Sequence, residues 1–593
     1  MPRTLRGPSS ILNRLTATEC YIDRLSEDIL VDQVFLYLDV FDILHLRRVS
    51  KHYNLLTYHR AMWKRLLRRA TIPLPRLLLS TSYSFNHLGS SEAEKVLVRA
   101  VSLDKCWKSS GPRFISQWDF QAFHHVLAMV LLPGARYLVA SVTDDAGLNY
   151  AVVVFSVDRT SLGAVPLAKT LTLTKAYNLR AKYMTVHGES GIVVAFDREM
   201  RGNESWKCFD ASKRDTNGGA KPKSPFKYEC VLLHVSLSSL EALIRARVVP
   251  GSREYLLYAS TRPRPFQNLA TVMSRKPIGA PSLGEIFGSP YVAVSEDCSN
   301  IVFKNLDGGN ASVLTCVPTV LGSDEAHSIE AIHLVSERNQ VLVVRKIKIE
   351  RGSPALAIEY FDVLSEPGGP RAHTDSIYLY CKDVASVKIS DNDSYARNGL
   401  SQSILSTPIS VFIRTTDEGS LAYLRIFPQR KEHGLAAAPT SPSFDLARRP
   451  SFSTEVYPLQ DGAQLQQLSW EDEHVGVLPA SCRPVVYLID KNDPDASPHI
   501  LRYMRLRDFD PESTSKQAAH DGGDLEDNSG ETARMMTTQL VIPAKVANLA
   551  SVSALAWDET TGRLCIADAR TGMVQVLDFA ALPLSTAGAC PRP

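Results

Sequence analysis

The spacing of apolar residues changes near residue 125, and this change limits what the chain can fold into. After that point the apolar residues form short runs, such as YLVASV, YAVVVFSV, QVLVVRKIKI and EYLLYAS. The runs are rich in β-branched and aromatic residues and are bounded by Gly, Asn, Asp, Ser and Pro, as is typical of strands and turns. Almost no helical pattern intervenes, which argues against a parallel sheet built from alternating strands and helices. The sequence therefore predicts an all-β region over 125–593.

The final strand-rich unit favours a radial repeat of small sheets over stacked β-sandwiches. Residues 551–579 read as strand, turn, strand, turn and strand, with turns at 558–562 and 570–572. This spacing resembles a WD-type repeat, although Leu577-Asp578 stands where that repeat has Trp-Asp and no Gly-His pair precedes it. Repeats of about 40–45 residues are usual in such folds. The length of the region then predicts a β-propeller-like domain of six to eight blades, and stacked sandwiches are the alternative.

A small helical head precedes this region, over residues 20–70. Apolar residues recur there at steps of three and four, as one face of a helix requires. Ser26 is expected to cap the first helix, Asp42 the second and Ser50 the third, since these residue types accept hydrogen bonds from the first helical amides. A fourth helix is expected over 61–67. The first apolar face consists of Leu25, Ile29, Leu30, Val34, Phe35 and Leu38.

Residues 71–124 are predicted to be a helical connector. Pro73 and Pro75 end the preceding helix. Ser91 and Glu94 then have the spacing of a capping box at the start of a further helix. We expect this helix to dock the head onto the larger β region.

The ordered pattern of the head resembles the F-box. That family has a Leu-Pro step, an apolar helix, a second apolar helix, a Val-Ser or Val-Cys step, an aromatic residue three positions later and a Trp about ten further on. Two departures are Ser26 at the usual Pro and Tyr53 at the usual Trp of the third helix. The matching positions here are Leu25, Ile29, Leu30, Val34, Phe35, Tyr37, Leu38, Leu44, Leu46, Val49, Ser50, Tyr53 and Trp63.

The resemblance implies that the head docks onto a Skp-type adaptor, which bridges to a cullin and a RING protein. The β domain would then hold a protein substrate for ubiquitin transfer, on loops of one annular face. The residues expected to bind the adaptor are those just named, apart from Tyr37. A head of about fifty residues is near the lower limit for independent stability, so sharing apolar surface with a partner is physically reasonable. The alternative is a helical cap packed on the β region.

The sequence argues against several other classes of function. The net charge of +3 argues against bulk attraction to nucleic acid or membrane. No stretch approaches the ~20 consecutive apolar residues that a membrane span needs. The N-terminus has no uninterrupted apolar segment of the kind that a secretory signal requires. Ten cysteines without a C-x-x-C pair fit reduced thiols in the cytosol or nucleus, where we expect the protein to be.

Other motifs are weaker. Residues 391–399 have some acidic spacing of a calcium loop, but Ala396 and Gln402 replace its Gly and Glu. His124 and His125 lack Cys or acidic partners at the spacing of metal ligands. Trp557 is expected to pack within or between blades. The head also contains a basic run, which could be a nucleic-acid-binding patch. We interpret it instead as solvated helix faces, some of whose charges pair with acidic residues earlier in the chain. The run comprises Arg47, Arg48, Lys51, Arg60, Lys64, Arg65, Arg68 and Arg69.

No fingerprint of catalysis or of a cofactor site is present in the sequence. We therefore predict a non-catalytic substrate receptor of a ubiquitin ligase, with no cofactor. The alternatives are a propeller-fold hydrolase with an incidental helical cap and an F-box scaffold outside any ligase. Residues 1–19 and insertions near 201–227, 429–453 and 508–534 are expected to be mobile, because their composition cannot bury a core.

Overall fold

The structure is a computed structural model of the full chain, and it divides into two compact units. It describes residues 21–70, 72–74, 89–109, 111–157, 164–201, 226–245, 248, 252–316, 327–347, 355–363, 374–380, 384–391, 408–415, 421–428, 452–458, 473–490, 499–505, 535–543 and 552–581. The N-terminal segment and most of each predicted insertion lie outside these residues.

The first unit comprises Met1–Thr71 and Leu88–Val98, and its described part is helical. A short 3₁₀ turn, Tyr21–Arg24, precedes α1 (Glu27–Ile29), which continues as a π-helical turn (Leu30–Val34) and a 3₁₀ turn (Phe35–Tyr37). The remaining helices are α2 (Val40–Leu46), α3 (Lys51–Leu56), α4 (Arg60–Arg69) and α5 (Ser90–Lys108). Helix α5 belongs to this unit up to Val98 and to the second unit from Arg99.

Side-chain caps begin the helices of the head. Ser26 accepts from the amide of Ile29 at 3.4 Å, and Ser50 accepts from the amide of Tyr53 at 3.2 Å, so both predicted caps are confirmed. The cap of α2 is Asp39, whose carboxylate accepts from the amide of Val40, and the prediction of Asp42 was wrong. The helix begins earlier than its apolar spacing suggests, which leaves Asp42 in the first turn, where the helix dipole favours an acid.

The second unit is a seven-bladed β-propeller, each blade a four-stranded antiparallel sheet. Blades 1 to 3 consist of β2–β5 (His125–Leu131, Tyr137–Thr143, Tyr150–Ser156, Val165–Leu171), β6–β9 (Tyr177–Val186, Glu189–Arg201, Phe226–Ser236, Phe266–Ser274) and β10–β13 (Ser282–Ile286, Ser289–Ser295, Asn300–Asn305, Ser312–Thr315). Blades 4 to 6 consist of β14–β17 (His327–Val335, Gln340–Ile347, Ala355–Asp362, Asp375–Tyr380), β18–β21 (Val384–Ile389, Ile409–Thr415, Leu421–Pro428, Phe452–Pro458) and β22–β25 (Glu473–Leu478, Val485–Asp490, His499–Arg505, Met535–Gln539).

The last blade, which we call the closing blade, joins two distant parts of the chain. It contains β26 (Val552–Asp558), β27 (Arg563–Asp568) and β28 (Met573–Asp578), and its outer strand is β1 (Ser116–Gln121). Strand β1 pairs antiparallel with β28, with Ser116 opposite Asp578 and Gln121 opposite Met573. The first strand of the closing blade also contacts β2 of blade 1, which closes the ring. Closure of this kind leaves few exposed sheet edges.

The first strands of the blades form the inner ring of the propeller. Contacts run from β26 to β2, from β2 to β6, from β6 to β10, from β10 to β14 and from β14 to β18. Apolar side chains fill the space between neighbouring blades. One such cluster joins Val139 and Val154 of blade 1 to Ile192 and Val194 of blade 2. The prediction of a propeller with six to eight blades is therefore confirmed, with seven.

Three features of the second unit differ from, or add to, the sequence predictions. EYLLYAS was predicted as a strand, but it lies in helix α7 (Arg253–Ser260), because Ser252 caps it by accepting from the amide of Tyr255 at 3.1 Å. A further helix, α6 (Leu237–Arg245), follows β8 directly. Strand β1 lies inside the range predicted as the connector; its sequence, SQWDFQ, contains no run of apolar residues.

Candidate functional site

The residues predicted to bind an adaptor separate into a buried and an exposed group. Leu30, Phe35, Tyr53 and Trp63 are buried. The indole N–H of Trp63 donates to the carbonyl oxygen of Thr57 at 2.7 Å, which satisfies its polar atom. Val34, Leu38, Leu44 and Leu46 are half-buried, and Ser50 is the exposed cap of α3. The buried members therefore form part of the core and do not offer their side chains to a partner.

Seven large apolar side chains are exposed among the described residues of the head. Ile22 lies in the 3₁₀ turn before α1 and Tyr58 lies against the Arg47 guanidinium, and we call the other five the exposed apolar set. Leu25 directly precedes the cap of the first helix, and Ile29 is the last residue of α1. The exposed fractions of the set are 39% for Leu25, 45% for Ile29, 83% for Tyr37, 67% for Val49 and 73% for Leu55. Large apolar groups at a surface mark an interaction site where they form a contiguous patch.

The charged groups of the head pair with one another. Arg47 holds the Glu94 carboxylate with both terminal nitrogens, at 2.6 and 2.8 Å, and its Nε donates to the Thr57 hydroxyl at 3.0 Å. Its guanidinium also lies 4.2 Å from the centre of the Tyr58 ring. Asp32 pairs with Arg65, so the prediction that preceding acids pair with part of the basic run is confirmed for this residue.

In the propeller, the second half of α5 packs against the closing blade. The rings of Trp107 and Trp557 stack with their centres 5.5 Å apart, and the Trp557 N–H donates to the carbonyl of Arg483 at 2.8 Å. Gly562 has a φ of 68°, and a methyl group there would collide with Leu103. The packing predicted for Trp557 is thus confirmed, with a helix as its neighbour.

A buried ion network holds the closing blade together. Arg563 donates to both oxygens of Asp578, at 2.8 and 3.0 Å, and Arg99 donates to the same carboxylate at 2.7 Å. Burial by itself raises the pKa of the Asp578 carboxyl, but the hydrogen bonds and charges of the two arginines outweigh burial and hold that pKa below its usual value. Such a network is costly to break, because each remaining charge would stay buried without its partner.

One polar contact of the propeller spans the inner ring. Lys182 Nζ of β6, in blade 2, lies 3.1 Å from the carboxylate of Asp391, which follows β18 of blade 5. The same ammonium donates to the carbonyl of Leu283 at 3.2 Å. The sequence gives no signal for this pair, because its members are separated by 209 residues.

The remaining sequence candidates do not form sites within the described residues. His125 lies 2.8 Å from the carbonyl of Ala569, and His124 Nε2 lies 2.8 Å from Lys169 Nζ. No group of three or more His, Cys, Asp or Glu side chains is arranged to hold a metal in the ranges given above. Residues 392–399 of the calcium-like loop lie outside those ranges. None of the described helices combines the length and the hydropathy needed to cross a membrane.

Comparison with known proteins finds similarity among solved structures only. No protein-family model matches the chain, and no curated protein matches it. Among solved structures, the chain is similar to the WD40 domain of SCAP from fission yeast, with 10% identity, 77% of this chain and 85% of that chain covered, and a TM-score of 0.38. It is also similar to the β-propeller domain of Myceliophteria thermophila Cps50 (Swd1), with 11% identity, 79% and 99% covered, and a TM-score of 0.38.

A third similar structure is a humanized mutant of the Chaetomium thermophilum Polycomb Repressive Complex 2 bound to an inhibitor. Identity is 9%, the match covers 79% of this chain and 97% of that chain, and the TM-score is 0.34. At these scores the likeness carries no functional argument. The assignment of seven blades rests on the strand pairing within this chain itself.

Proposed function

We propose that this protein is a non-catalytic substrate receptor in which the head docks onto a Skp-type adaptor and the propeller holds a target protein for ubiquitination. Through the adaptor the head would reach a cullin and a RING protein. The resemblance of the head to the F-box motivates the choice of partner. The compartment that fits this role is the cytoplasm, the nucleus or both.

The observation that carries the proposal is the division of the head into a core and the exposed apolar set. Leu30, Phe35 and Trp63 occupy the interior, so the head has a core without the help of the exposed residues. Leu25, Ile29 and Val49 are then available to a partner. Burying a large apolar side chain contributes about 1.5–3 kcal/mol gross, and ordering and association costs remove part of it. Five such residues are enough for an apolar docking surface.

The first test is co-purification of the full-length chain with a Skp-type adaptor. We expect a stable complex from intact protein, and failure to form one contradicts the proposal. Leu25→Asp combined with Ile29→Asp should abolish binding, because two charges would be buried without partners at the interface. Both side chains are exposed in the free chain, so the head should keep its fold.

A matched control lies on α7 of the propeller. Leu256 and Leu257 are more exposed than Leu25 and Ile29, at 63% and 58%. Leu256→Asp combined with Leu257→Asp adds the same charge and should leave adaptor binding unchanged. Equal loss of binding in both double variants would indicate a general effect of charge and would contradict a specific site on the head.

A ligase receptor and an F-box scaffold differ in the fate of the target. If the protein is a receptor, removing it should lengthen the half-life of a defined set of proteins, and the Leu25 and Ile29 double variant should fail to restore their turnover. Adaptor binding without any change in protein half-lives would favour the scaffold.

A further inference from the structure

Helix α7 lies on the outer part of blade 2, and none of its residues is buried. It belongs to the connection between β8 and β9, the two strands of this blade that lie farthest from the inner ring. The Tyr255 hydroxyl donates to the carbonyl of Pro166, in β5 of blade 1, at 3.1 Å. The helix is therefore attached to the rim of the propeller and is not part of its core.

Three consecutive side chains of α7 offer apolar surface to solvent. Leu256 and Leu257 are 63% and 58% exposed, and Tyr258 beside them is 40% exposed. Tyrosine has an apolar ring and a polar hydroxyl, a combination that suits the boundary between water and hydrocarbon. The helix thus presents a short apolar segment at the rim, with no partner within the described part of this chain to cover its leucines.

Arginines flank this apolar segment on both sides. Arg262 lies over the ring of Tyr258, with its guanidinium carbon 4.6 Å from the ring centre. Among the residues that the structure describes, neither Arg253 nor Arg264 makes an ion pair. Residues 252–266 carry exposed charges of both signs, and the positive ones are in excess: Arg253, Arg262 and Arg264 against Glu254.

We propose that α7 is a peripheral anchor for an anionic membrane surface, in which Leu256 and Leu257 enter the headgroup layer and the arginines contact the lipid phosphates. A basic surface helix with exposed aliphatic side chains is typical of proteins that lie on such membranes. The small net charge of the whole chain does not oppose this, because a charged surface senses only charges within about 8–10 Å at physiological salt.

A membrane is favoured over an acidic protein as the occupant. The leucines project from a helix without buried residues, and a lipid surface accommodates projecting groups of any shape, whereas a folded partner needs a complementary cavity. One short apolar segment with a few arginines is a weak pair of signals, so the anchoring is reversible. This surface lies on the propeller and is independent of adaptor binding by the head.

The test is sedimentation of the full-length chain with vesicles of phosphatidylcholine, either pure or with about a quarter phosphatidylserine. We expect binding to the anionic vesicles that weakens as salt is added. Leu256→Gln combined with Leu257→Gln should weaken it by about tenfold or more, because apolar surface is lost without added charge. The matched control, Leu171→Gln combined with Leu173→Gln, alters leucines of blade 1 that are 66% and 53% exposed, and should change binding by less than about twofold.

A second pair of variants tests the arginines. Arg253→Gln combined with Arg264→Gln should weaken binding to the anionic vesicles by about tenfold and leave the weak binding to pure phosphatidylcholine unchanged. Its control is Lys227→Gln combined with Arg275→Gln, which removes the same charge from the opposite end of β8 and β9. Equal losses in the two double variants would mean that net charge alone drives binding, which contradicts a site on α7.

Hydrogen exchange of the wild-type chain does not depend on the variants folding correctly. Anionic vesicles should slow exchange of the α7 amides and leave the strands of blade 4 unchanged. Vesicles that fail to bind the chain, or that bind it without protecting α7, overturn the proposal. Protection of α7 by polyglutamate but not by vesicles also overturns it, because the occupant would then be an acidic protein. Protection that rises with protein concentration alone overturns it in favour of a second copy of this chain.

Discussion

The head buries Leu30, Phe35 and Trp63 but leaves Leu25, Ile29 and Val49 in water, whereas the closing blade buries every residue of β27 and a carboxylate with two arginines. In the closing blade the charges Arg563, Arg99 and Asp578 satisfy one another inside the protein. In the head the large apolar groups at the surface have solvent as their neighbour. The buried charges thus belong to the internal closure of the ring, and the proposed partner would account for the exposed apolar set.

The largest expected effect comes from removing the buried carboxylate of the closing blade. Asp578→Ala leaves Arg563 and Arg99 buried without their shared acceptor and should destabilise the propeller by about 3–5 kcal/mol. Urea unfolding, followed by a signal from the propeller, measures the change. Asp119→Ala is the matched control, because Asp119 is an exposed residue of β1 in the same blade and should cost less than about 0.5 kcal/mol. Similar costs for both variants would mean that the network does not hold the blade.

The second effect concerns the buried carboxyl of Asp197 in blade 2. Burial raises its pKa to about 7, against hydrogen bonds from Asn178 and Cys230 and the charge of Arg180. The folded state therefore binds a proton that the unfolded state has released, and the contribution of Asp197 to stability falls as the pH rises from about 4 to about 7. The loss should be on the order of 4 kcal/mol, since one pKa unit corresponds to about 1.4 kcal/mol.

Other carboxyls titrate in the same pH range, so the measurement is a difference. The free energy of unfolding of the wild-type protein is compared with that of Asp197→Asn at each pH. We expect the wild type to lose stability relative to the variant as the pH rises, because the amide cannot ionise yet can still accept from Asn178. A constant difference across the range would contradict a raised pKa for Asp197.

Local interactions were easier to predict from the sequence than distant ones, although the local caps of α2 and α7, Asp39 and Ser252, were missed. The caps Ser26 and Ser50 were found, because a cap and its amide are three residues apart. Strands β26, β27 and β28 of the closing blade and the two turns between them were found for the same reason. The pairing of β1 with β28 was not, since strands that meet across the whole chain leave no local pattern.

The candidate sites follow the same rule. The periodicity of the head predicted which apolar residues form a helical face. It could not distinguish the buried Leu30 from the exposed Ile29, because the burial of neighbouring helical positions is decided only when the helices pack. The contact between Lys182 and Asp391 gave no signal at all, because the two residues meet only when the ring brings blade 2 opposite blade 5.

A third and smaller effect compares two ion pairs within the head. Glu94 and Arg47 are mostly buried, and their contact is bidentate, whereas Asp32 and Arg65 are each 40% exposed. Glu94→Gln should therefore destabilise the head by about 1.5–3 kcal/mol. Asp32→Asn should cost about 0.2–1 kcal/mol and lose most of that in high salt.

Hydrogen exchange of the amides of α2, α3 and α4 in the full-length chain reports the stability of the head without interference from the propeller. Faster exchange in Glu94→Gln than in Asp32→Asn is the expected result. If the exposed pair proved the more important of the two, burial would not be what distinguishes charges in the head.

Ser26→Pro should have the smallest effect on stability. It tests most directly whether the exposed apolar set of the head binds a partner. Ser26 has a φ of −63°, which proline adopts without strain. The substitution loses the 3.4 Å capping bond to Ile29, worth about 0.5–1 kcal/mol, and regains about 0.4–1 kcal/mol by restricting the unfolded chain. The net change in stability should thus be close to zero.

The effect of Ser26→Pro on adaptor affinity is the informative quantity. The change fixes the entry to α1 beside the exposed Leu25 and Ile29, so a partner that uses them would find the surface better ordered and bind more tightly. Ser26→Ala is the control, because it removes the same capping bond without restricting φ, and it should not tighten binding. Titration of the adaptor into all three chains measures the difference. Unchanged affinity in the proline variant would mean that the entry to α1 takes no part in docking, and the contribution of the exposed apolar set would then have to come from Tyr37, Val49 and Leu55.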